Sequence, residues 1–299
     1  MSVLVVGTTA LDSIKTPYAE NPRLLGGSAS HAAVAASFFA PVHLVGVVGD
    51  DFPDKYVKLY RKHGINLDGL HRATGKTFHW GGEYEVNMNN RRTLFTELGV
   101  IENFSPDLPA HYRHIPYVLL ANISPSLQLH VLQQMAKPKF VIADTMDLWI
   151  NVALPDLLKL LGRVDAIVVN DSEARHLTGE DNLHLAIKKI HRLGPAYVIV
   201  KKGEHGAILS APGGHFIAPA FPLEKVVDPT GAGDSFVGGL IGYLAGHRGS
   251  VDQNLRKAII YGSVVASFCC EGFGLARTTK ATRAAIEDRA SHIKRLTHF

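Results

Sequence analysis

The stretch EKVVDPTGAGDSFVGGLIGYLAG, residues 224–246, places two aspartates, Asp228 and Asp234, on either side of a glycine turn. Its order predicts a strand end, a tight turn at Gly231 and Gly233, and a long apolar helix. Unpaired backbone N–H groups at a helix start attract anions, whereas a carboxylate at the same place repels them. The stretch therefore predicts an anion site that includes an acidic group, and that combination needs an explanation. The structural alternative is that Asp234 simply caps the helix.

The apolar run after the turn contains three further glycines, Gly238, Gly239 and Gly242. Each glycine inside a helix costs roughly 1 kcal/mol relative to alanine, so their presence requires a reason. We expect them to make room for a flat ligand, such as a nucleotide, that packs against the helix.

Composition limits the classes of protein that this chain can belong to. Its 299 residues are 46% hydrophobic, enough for one large α/β domain, and its formal net charge of +4 includes no long basic run. Nucleic acid is therefore not an expected partner. The adjacent cysteines Cys269 and Cys270 do not suit a mutual disulfide, and the first residues lack the basic segment of a signal peptide. The apolar run at 258–270 is too short to cross a bilayer, so we expect a cytoplasmic protein without a membrane partner.

Short runs rich in valine and isoleucine alternate with helical segments along most of the chain. Near-continuous apolar runs are typical of parallel strands that are covered on both faces. The alternation predicts an α/β fold with a doubly wound, mostly parallel sheet and ligands at the carboxyl ends of its strands. The predicted strands are 2–7, 42–49, 117–122, 139–144, 166–170 and 197–203, and the predicted helices are 28–40, 52–63, 126–136, 153–162, 171–178 and 182–193.

Residues 77–96 break this pattern, because polar and apolar side chains alternate around the turn-like sequence NMNNR. Such alternation predicts an antiparallel hairpin with one apolar face. Together with parts of 10–25, the hairpin is expected to form a small β-sheet lid on the main domain. No linker or internal repeat is present, so we expect a single domain over 1–299 with this lid inserted in it.

Two other glycine-rich patterns are weaker. Residues 69–77, GLHRATGKT, are similar to a P-loop, but five residues separate Gly69 and Gly75 where that loop requires four. After the first strand only Gly7 is present, where a dinucleotide-binding fold needs G-x-G-x-x-G. This argues against a nicotinamide dehydrogenase. The histidines show no paired ligand spacing, so no zinc site is predicted.

Four segments together resemble the ribokinase-like, or PfkB, carbohydrate kinase family. DPTGAGDSFVGGLIGYLA resembles the family's C-terminal signature, and GGSASHAAVAASFFAPVHLVGVVGDD, 26–51, its N-terminal signature. NDSEARHLTG, 170–179, is similar to the N-x-x-E segment, and KKGEHGA, 201–207, to the glycine turn near the nucleotide. The likeness covers essentially the whole chain in the family's order. It implies ATP-dependent transfer of the γ-phosphoryl group to a hydroxymethyl group of a sugar or sugar-like acceptor.

The resemblance also explains the acidic group in the glycine turn. It implies that Asp234 is the base that accepts the proton of the acceptor hydroxyl. The N–H groups of Gly231, Ala232 and Gly233 would hold the transferring phosphoryl oxygens. Base and anion site are neighbours because the attacking oxygen lies between them.

For ATP and its metal, the resemblance implies two groups of residues. Asn170 and Glu173, at i and i+3, would position Mg²⁺ through its water ligands, although the same pair also fits a helix cap. Asp228 and the loop 269–274 lie where many family members hold a monovalent cation such as K⁺. The full set implied on the nucleotide side is Asn170, Glu173, Lys202, Gly203, Gly206, Asp228 and Gly262.

For the acceptor, the resemblance implies that Asp12 binds hydroxyl groups and that Gly26 and Gly27 let the substrate lie close to the backbone. His31 stands where many members carry asparagine, and an imidazole there either bonds a hydroxyl or stacks on a base. Its structural alternative is a partly buried helix histidine. Trp80 and Tyr84 would line the lid, or form a stripe that faces a second subunit in a homodimer.

The identity of the acceptor therefore stays open at this point. A sugar is the leading expectation, and a nucleoside, with its base between His31 and the lid aromatics, is the alternative. A non-catalytic member that only binds nucleotide is less favoured, because Asp234, Asn170, Glu173 and the glycine turn are all present.

Overall fold

The computed structural model describes residues 1–298 and contains thirteen strands and ten α-helices in those residues. No helix in this part of the chain is long and apolar enough to cross a membrane. The strands are β1 (Val3–Val6), β2 (Ala10–Lys15), β3 (Glu20–Gly26), β4 (Val42–Val48), β5 (Asn66–Arg72), β6 (His79–Tyr84), β7 (Arg91–Glu97), β8 (Tyr117–Leu120), β9 (Phe140–Asp144), β10 (Ala166–Asn170), β11 (Tyr197–Lys201), β12 (Ala207–Ala211) and β13 (Gly214–Ala218). The helices are α1 (Ser28–Ser37), α2 (Asp54–Lys62), α3 (Pro125–Gln134), α4 (Asp147–Val152), α5 (Leu154–Leu161), α6 (Asp171–Thr178), α7 (Leu183–Arg192), α8 (Ala232–Gly246), α9 (Val251–Cys270) and α10 (Arg283–Leu296).

The main sheet has nine strands in the order β13-β12-β11-β10-β9-β8-β1-β4-β5. Pairing is parallel from β11 to β5, and β12 and β13 add two antiparallel pairings at one edge. All four residues of β1 are completely buried, as expected for a central strand with helices on both faces. The predicted doubly wound, mostly parallel sheet is confirmed, and each of the six predicted strands is present.

Several elements of the main domain were not predicted, among them β5, the β12–β13 hairpin and the helices α4, α9 and α10. β5 lies at an edge of the sheet and carries polar residues, so its sequence lacks the apolar run of a central strand. The β12–β13 hairpin closes through a glycine turn at the other edge. The short helix α4 follows β9 directly and contributes to the cavity described below.

The lid is a separate four-stranded sheet in the order β3-β2-β6-β7. β6 and β7 form the predicted hairpin, and β2 pairs with β6 in parallel. This confirms that 77–96 and parts of 10–25 form a small sheet. Its register places Asp12 opposite Trp80, and Tyr84 opposite Arg91.

Part of the apolar surface of the lid is covered by the main domain of the same chain. Ile14, Tyr84 and Met88 are buried in a cluster with side chains that include Val226 and Phe273. The Thr230 hydroxyl also donates a hydrogen bond of 3.1 Å to the Tyr84 hydroxyl. Tyr84 therefore anchors the lid beside the glycine turn.

The glycines of α8 serve helix packing. A Cβ atom on Gly238 would lie 2.3 Å from the Ala32 carbonyl oxygen, and one on Gly242 would lie 2.7 Å from the Ala36 carbonyl oxygen. Both contacts are with α1, whose small residues let the two helices approach closely. The expectation that these glycines make room for a flat ligand is therefore wrong.

The remaining helical glycines bring α8 close to α9. A Cβ on Gly239 would lie 3.2 Å from the Gly262 Cα, and a Cβ on Gly262 would lie 2.6 Å from the Phe236 carbonyl oxygen. Gly262 is therefore buried in close contact with α8, and its place on the nucleotide side stays a prediction.

Candidate active site

The turn before α8 is held by one buried carboxylate. Asp228 accepts hydrogen bonds from the N–H groups of Thr230, at 2.9 Å, and Gly274, at 3.0 Å. Gly231 has a φ of 77°, a left-handed conformation that favours glycine. Asp228 therefore fixes the turn against the loop that follows α9, which is a structural role beside the predicted one.

The first turn of α8 presents two of the three predicted N–H donors. The Ala232 N–H donates to the Pro229 carbonyl oxygen at 3.1 Å and is not free for an anion in this conformation. Among the hydrogen bonds of residues 1–298, none uses the N–H of Gly231 or Gly233. The candidate anion site therefore offers these two groups at the positive end of the helix dipole.

Asp234 is the third residue of α8 and lines a cavity between the lid and the main sheet. Burial raises the pKa of its carboxyl group above the ordinary value, although the positive charges of Lys201 and Arg91 oppose this effect. A raised pKa strengthens the carboxylate as a proton acceptor. The structure thus brings the predicted base and the anion donors together.

Asp12 projects into the same cavity from β2. Its Oδ2 accepts a hydrogen bond of 3.3 Å from the Gly27 N–H, and a Cβ on Gly26 would lie only 1.9 Å from that oxygen. Burial, with smaller contributions from Asp234 and Asp228, raises the pKa of Asp12 to about 7. Gly26 is therefore needed to make space for the Asp12 side chain, whereas a Cβ on Gly27 would lie 2.4 Å from the Thr8 carbonyl oxygen.

His31 lies on α1 with 1% of its surface exposed, and its ring packs directly on Gly231. Burial lowers the pKa of the imidazole to about 4, so the ring is neutral at pH 7. Its Nδ1 lies 3.7 Å from the Cys269 Sγ, whereas its Nε2 has no hydrogen-bond partner in the protein. Because a buried polar atom without a partner is costly, Nε2 is suited to bind a ligand in the cavity that His31 lines.

Asn170 and Glu173 form a capping box at the start of α6. The Glu173 N–H donates to Asn170 Oδ1 at 2.7 Å, and the Asn170 N–H donates to Glu173 Oε2 at 2.7 Å. Burial raises the pKa of Glu173 to about 7, against the opposing effect of Lys201. The structural alternative for this pair is therefore realised, and Oε1 of Glu173 stays available for a further contact.

Lys201 reaches this site and was missed by the sequence analysis, which selected its neighbour Lys202. Its Nζ lies 3.1 Å from Asp144 Oδ1, so the end of β11 is tied to the end of β9. Burial disfavours the charged form, but the carboxylates of Asp144, Glu173 and Asp234 outweigh this effect and raise the pKa of Lys201. The alternation of side chains along a strand could have suggested that only one of the two lysines faces the site.

The glycine turn after β11 has the predicted shape. Gly203 and Gly206 have φ values of 55° and 82°, and the Lys202 N–H donates to the Gly206 carbonyl oxygen at 2.8 Å. A Cβ on Gly206 would lie 2.0 Å from the Ala218 carbonyl oxygen, whereas one on Gly203 would meet only Asn89 Oδ1, at 3.9 Å. Gly203 therefore leaves an open face that is bordered by the tip of the lid.

The cavity between the lid and the main sheet has a volume of about 600 Å³ and two chemically different parts. The first part, named the polar end, contains the two candidate acids and the buried imidazole. The second, named the apolar wall, contains both tryptophans of the chain. The polar end comprises Asp12, Gly27, His31, Gly231 and Asp234, and the apolar wall Phe78, Trp80, Ile123, Leu127, Met146, Leu148 and Trp149.

Asn122, which follows β8, connects the two parts. Its Oδ1 accepts a hydrogen bond of 2.8 Å from Trp149 Nε1, and its carbonyl oxygen accepts one of 2.8 Å from the Ser28 hydroxyl. Arg91 lines the cavity from the lid, and its charge acts on both Asp12 and Asp234. Neither Asn122 nor Arg91 was predicted, because neither lies in the matched motifs.

Comparison with known proteins agrees with this architecture. Residues 3–282 match the pfkB family carbohydrate kinases. A cytidine kinase from Thermococcus kodakarensis is 29% identical over 254 residues, which cover 82% of this chain and 90% of that protein. The nucleoside kinase of Methanocaldococcus jannaschii has a TM-score of 0.78 at 22% identity, covering 97% of this chain and 98% of its own. The ribokinase of Thermotoga maritima has a TM-score of 0.77 at 22% identity, with coverages of 97% and 99%.

The mostly parallel sheet and the separate four-stranded sheet are those of the ribokinase fold. The chain belongs to the pfkB family of carbohydrate kinases, as the resemblance of its four segments predicted. It is an ATP-dependent kinase of a sugar or a nucleoside.

Proposed function

We propose that the protein transfers the γ-phosphoryl group of ATP to the hydroxymethyl group of a nucleoside, with Asp234 as the base. The observation that carries this choice is that one cavity is lined both by the acidic and imidazole groups of the polar end and by the aromatic and aliphatic side chains of the apolar wall. A ribose ring suits the polar end, where Asp12 and His31 offer partners for its hydroxyl groups. A flat base suits the apolar wall, because aromatic rings stack favourably and exclude water.

A free sugar would contact less of the cavity lining than a nucleoside. Its hydroxyl groups would find partners at the polar end, but Trp80, Leu148 and Trp149 would stay uncovered. Leu148 is 46% exposed, and an apolar side chain of that exposure beside a substrate site favours an apolar ligand group. The name of the Thermococcus relative, a cytidine kinase, points to the same class of acceptor.

ATP fits the residues at the other side of Asp234. The free N–H groups of Gly231 and Gly233 suit its terminal phosphates, and the open face of Gly203 suits a closely approaching nucleotide. A K⁺ site beside Asp228 would depend on carbonyl groups of the loop 269–274, since both Asp228 oxygens already accept backbone N–H groups.

Mg²⁺ is proposed to bind through water. Within residues 1–298, no three side chains of the usual metal-ligand types are grouped to hold an ion directly. Mg²⁺ keeps several of its waters, and the free Oε1 of Glu173 is suited to accept a hydrogen bond from one of them. The ion would neutralise charge on the phosphates, while Asn170 keeps Glu173 oriented through the capping box.

Glu173→Gln should raise the Mg²⁺ concentration needed for half-maximal rate about tenfold, as is typical when an outer partner of a metal is altered. Glutamine keeps the shape and one oxygen for the cap but loses the negative charge. The measurement is the rate of ADP formation against MgCl₂ concentration, with Asp171→Asn in the same helical turn as the control. An unchanged Mg²⁺ requirement would contradict the assignment.

The acceptor is tested with a panel of nucleosides, pentoses and hexoses at saturating MgATP. We expect at least one nucleoside to have a higher kcat/KM than ribose or fructose. Trp80→Ala should then raise the KM for that nucleoside about tenfold, the usual effect of removing a stacking partner, and Trp80→Phe should restore most of it. The nucleoside proposal would be overturned if a free sugar were the best acceptor and its KM did not change in Trp80→Ala.

A further inference from the structure

The carboxyl ends of three neighbouring strands converge below the first turn of α8. β9 ends at Asp144, β10 at Asn170 and β11 at Lys201, and the register pairs Asn170 with Lys201. Ligands of open α/β sheets bind at such ends, because the following loops and helix starts face the same space. Of these three residues, Lys201 carries the only positive charge.

The position of the Lys201 ammonium group is defined by two distances. Its Nζ lies 3.1 Å from Asp144 Oδ1, and a Cβ on Gly233 would lie 3.1 Å from the same Nζ. Gly233 carries one of the two free N–H groups of the anion site. A Cβ at Gly233 would therefore be in tight contact with the lysine, and the ammonium group lies directly beside the anion donors.

The hydrogen bonds of Lys201 are incomplete. An ammonium group has three N–H donors, and among residues 1–298 only Asp144 accepts one of them. The side chain is 19% exposed and that of Asp144 is 5% exposed, so the pair is largely shielded from water. A shielded cation with free donors beside free backbone N–H groups forms a site for an anion that accepts several hydrogen bonds.

We infer that Lys201 is a further catalytic residue, which contacts the terminal phosphoryl group of the nucleotide while that group is transferred. The inference rests on the proposed kinase function. In this step the acceptor oxygen forms a bond to the γ-phosphorus, and the bond from that phosphorus to the β–γ bridging oxygen breaks. The hydroxyl proton passes to Asp234, and ADP leaves with the bonding electron pair. The attraction between the Lys201 ammonium group and the phosphoryl oxygens becomes stronger as negative charge spreads over the transferring group.

Asp144 is a positioning residue in this arrangement. It holds the ammonium group near Gly233 and prevents it from turning toward Asp234, whose carboxylate must stay free to accept a proton. A lysine is suited to this task because its compact charge can follow the phosphoryl group through small rotations of a flexible chain.

The inference is tested by calorimetric titration of the full-length protein with ADP and with the non-hydrolysable ATP analogue AMP-PNP, both with Mg²⁺. In Lys201→Met the Kd for AMP-PNP should rise at least tenfold while the Kd for ADP stays nearly unchanged. Lys188→Met, an exposed lysine on α7, is the control. With the best acceptor of the panel, kcat should fall about 10²–10³-fold, the usual effect of losing one donor to a reacting anion. Lys201→Arg should restore part of that rate.

The double variant Asp144→Asn with Lys201→Met covers the case in which Asp144, left alone, prevents folding. It removes both charges of the pair and should show the same selective loss of AMP-PNP binding. Equal changes in the Kd of both nucleotides, or no change in either, would overturn the role of Lys201 and leave the kinase proposal intact. A wild-type protein that binds neither nucleotide would overturn both.

Discussion

Asp234→Asn should lower kcat by about 10²–10⁴ and leave the affinity for ATP nearly unchanged. Asparagine has the shape of aspartate and preserves the start of α8, but its amide cannot accept the proton of the acceptor hydroxyl. The N–H groups of Gly231 and Gly233 and the Lys201 ammonium group stay in place, so the phosphates keep their partners. The measurement compares steady-state rates with the best acceptor and the Kd of AMP-PNP for both proteins.

Asp156→Asn is a matched control for this variant, because Asp156 is also the third residue of its helix, α5. Loss of a charge from the first turn of a helix costs some stability at either position. Only Asp234 lines the cavity, so only Asp234→Asn should lose turnover. A variant at Asp234 that keeps near-wild-type turnover would show that another group accepts the proton.

The central strands could be predicted because their environment leaves a simple mark on the sequence. β1 and β8 are buried on both faces, and only apolar residues are tolerated there. β5 lies at an edge and carries a mixed sequence, which a single sequence does not distinguish from a loop. In this fold, strands that are buried on both faces can therefore be predicted more easily than strands at an edge of the sheet.

The helical glycines illustrate a different limit. Gly238 and Gly242 are visible in the sequence as costly residues, but the reason lies in Ala32 and Ala36 on α1, about 200 residues earlier. Nothing in the local pattern shows which helix will pack on which. The same glycines fit a ligand contact or a close helix contact, and only the three-dimensional neighbours decide.

Some residues of the candidate site could likewise be predicted from the sequence, and others could not. The resemblance singled out Asp12, His31 and Asp234, and the structure places all three in the lining of one cavity. Asn122 and the segment 146–149 lie outside the matched segments, and Lys201 lies in one of them without having been singled out. The importance of these residues depends on which strand ends converge. Residues whose role depends on the convergence of separate strand ends are thus harder to predict than residues that match a family position.

The second large effect is expected at the tip of the lid. Tyr84 and Arg91 are register partners, so residues 85–90 can be replaced by the two-residue turn Asn-Gly, which suits a hairpin of this register. The change removes the buried Met88 and the Asn89 side chain that borders Gly203. The acceptor cavity keeps Trp80 and Arg91 but loses the side chain that lies nearest the glycine turn after β11. We expect kcat/KM for the acceptor to fall about 10²-fold, since small misplacements of a reacting pair have effects of that size.

The Kd of ADP should change little, because the glycine turn and the start of α8 are untouched, and ATP hydrolysis without acceptor should rise as water enters the cavity. Val86→Ser, at a tip residue that is 78% exposed, is the control and should keep the wild-type rate. Hydrogen exchange across β6 and β7 should slow in the wild type when AMP-PNP and acceptor are added together, and should not slow in the shortened lid. If neither ligand changed the exchange rate of β6 and β7 in the wild type, and the shortened lid kept full activity, the small sheet would be a fixed wall. A fixed wall would still shape the acceptor site, but it could not couple the binding of the acceptor to that of the nucleotide.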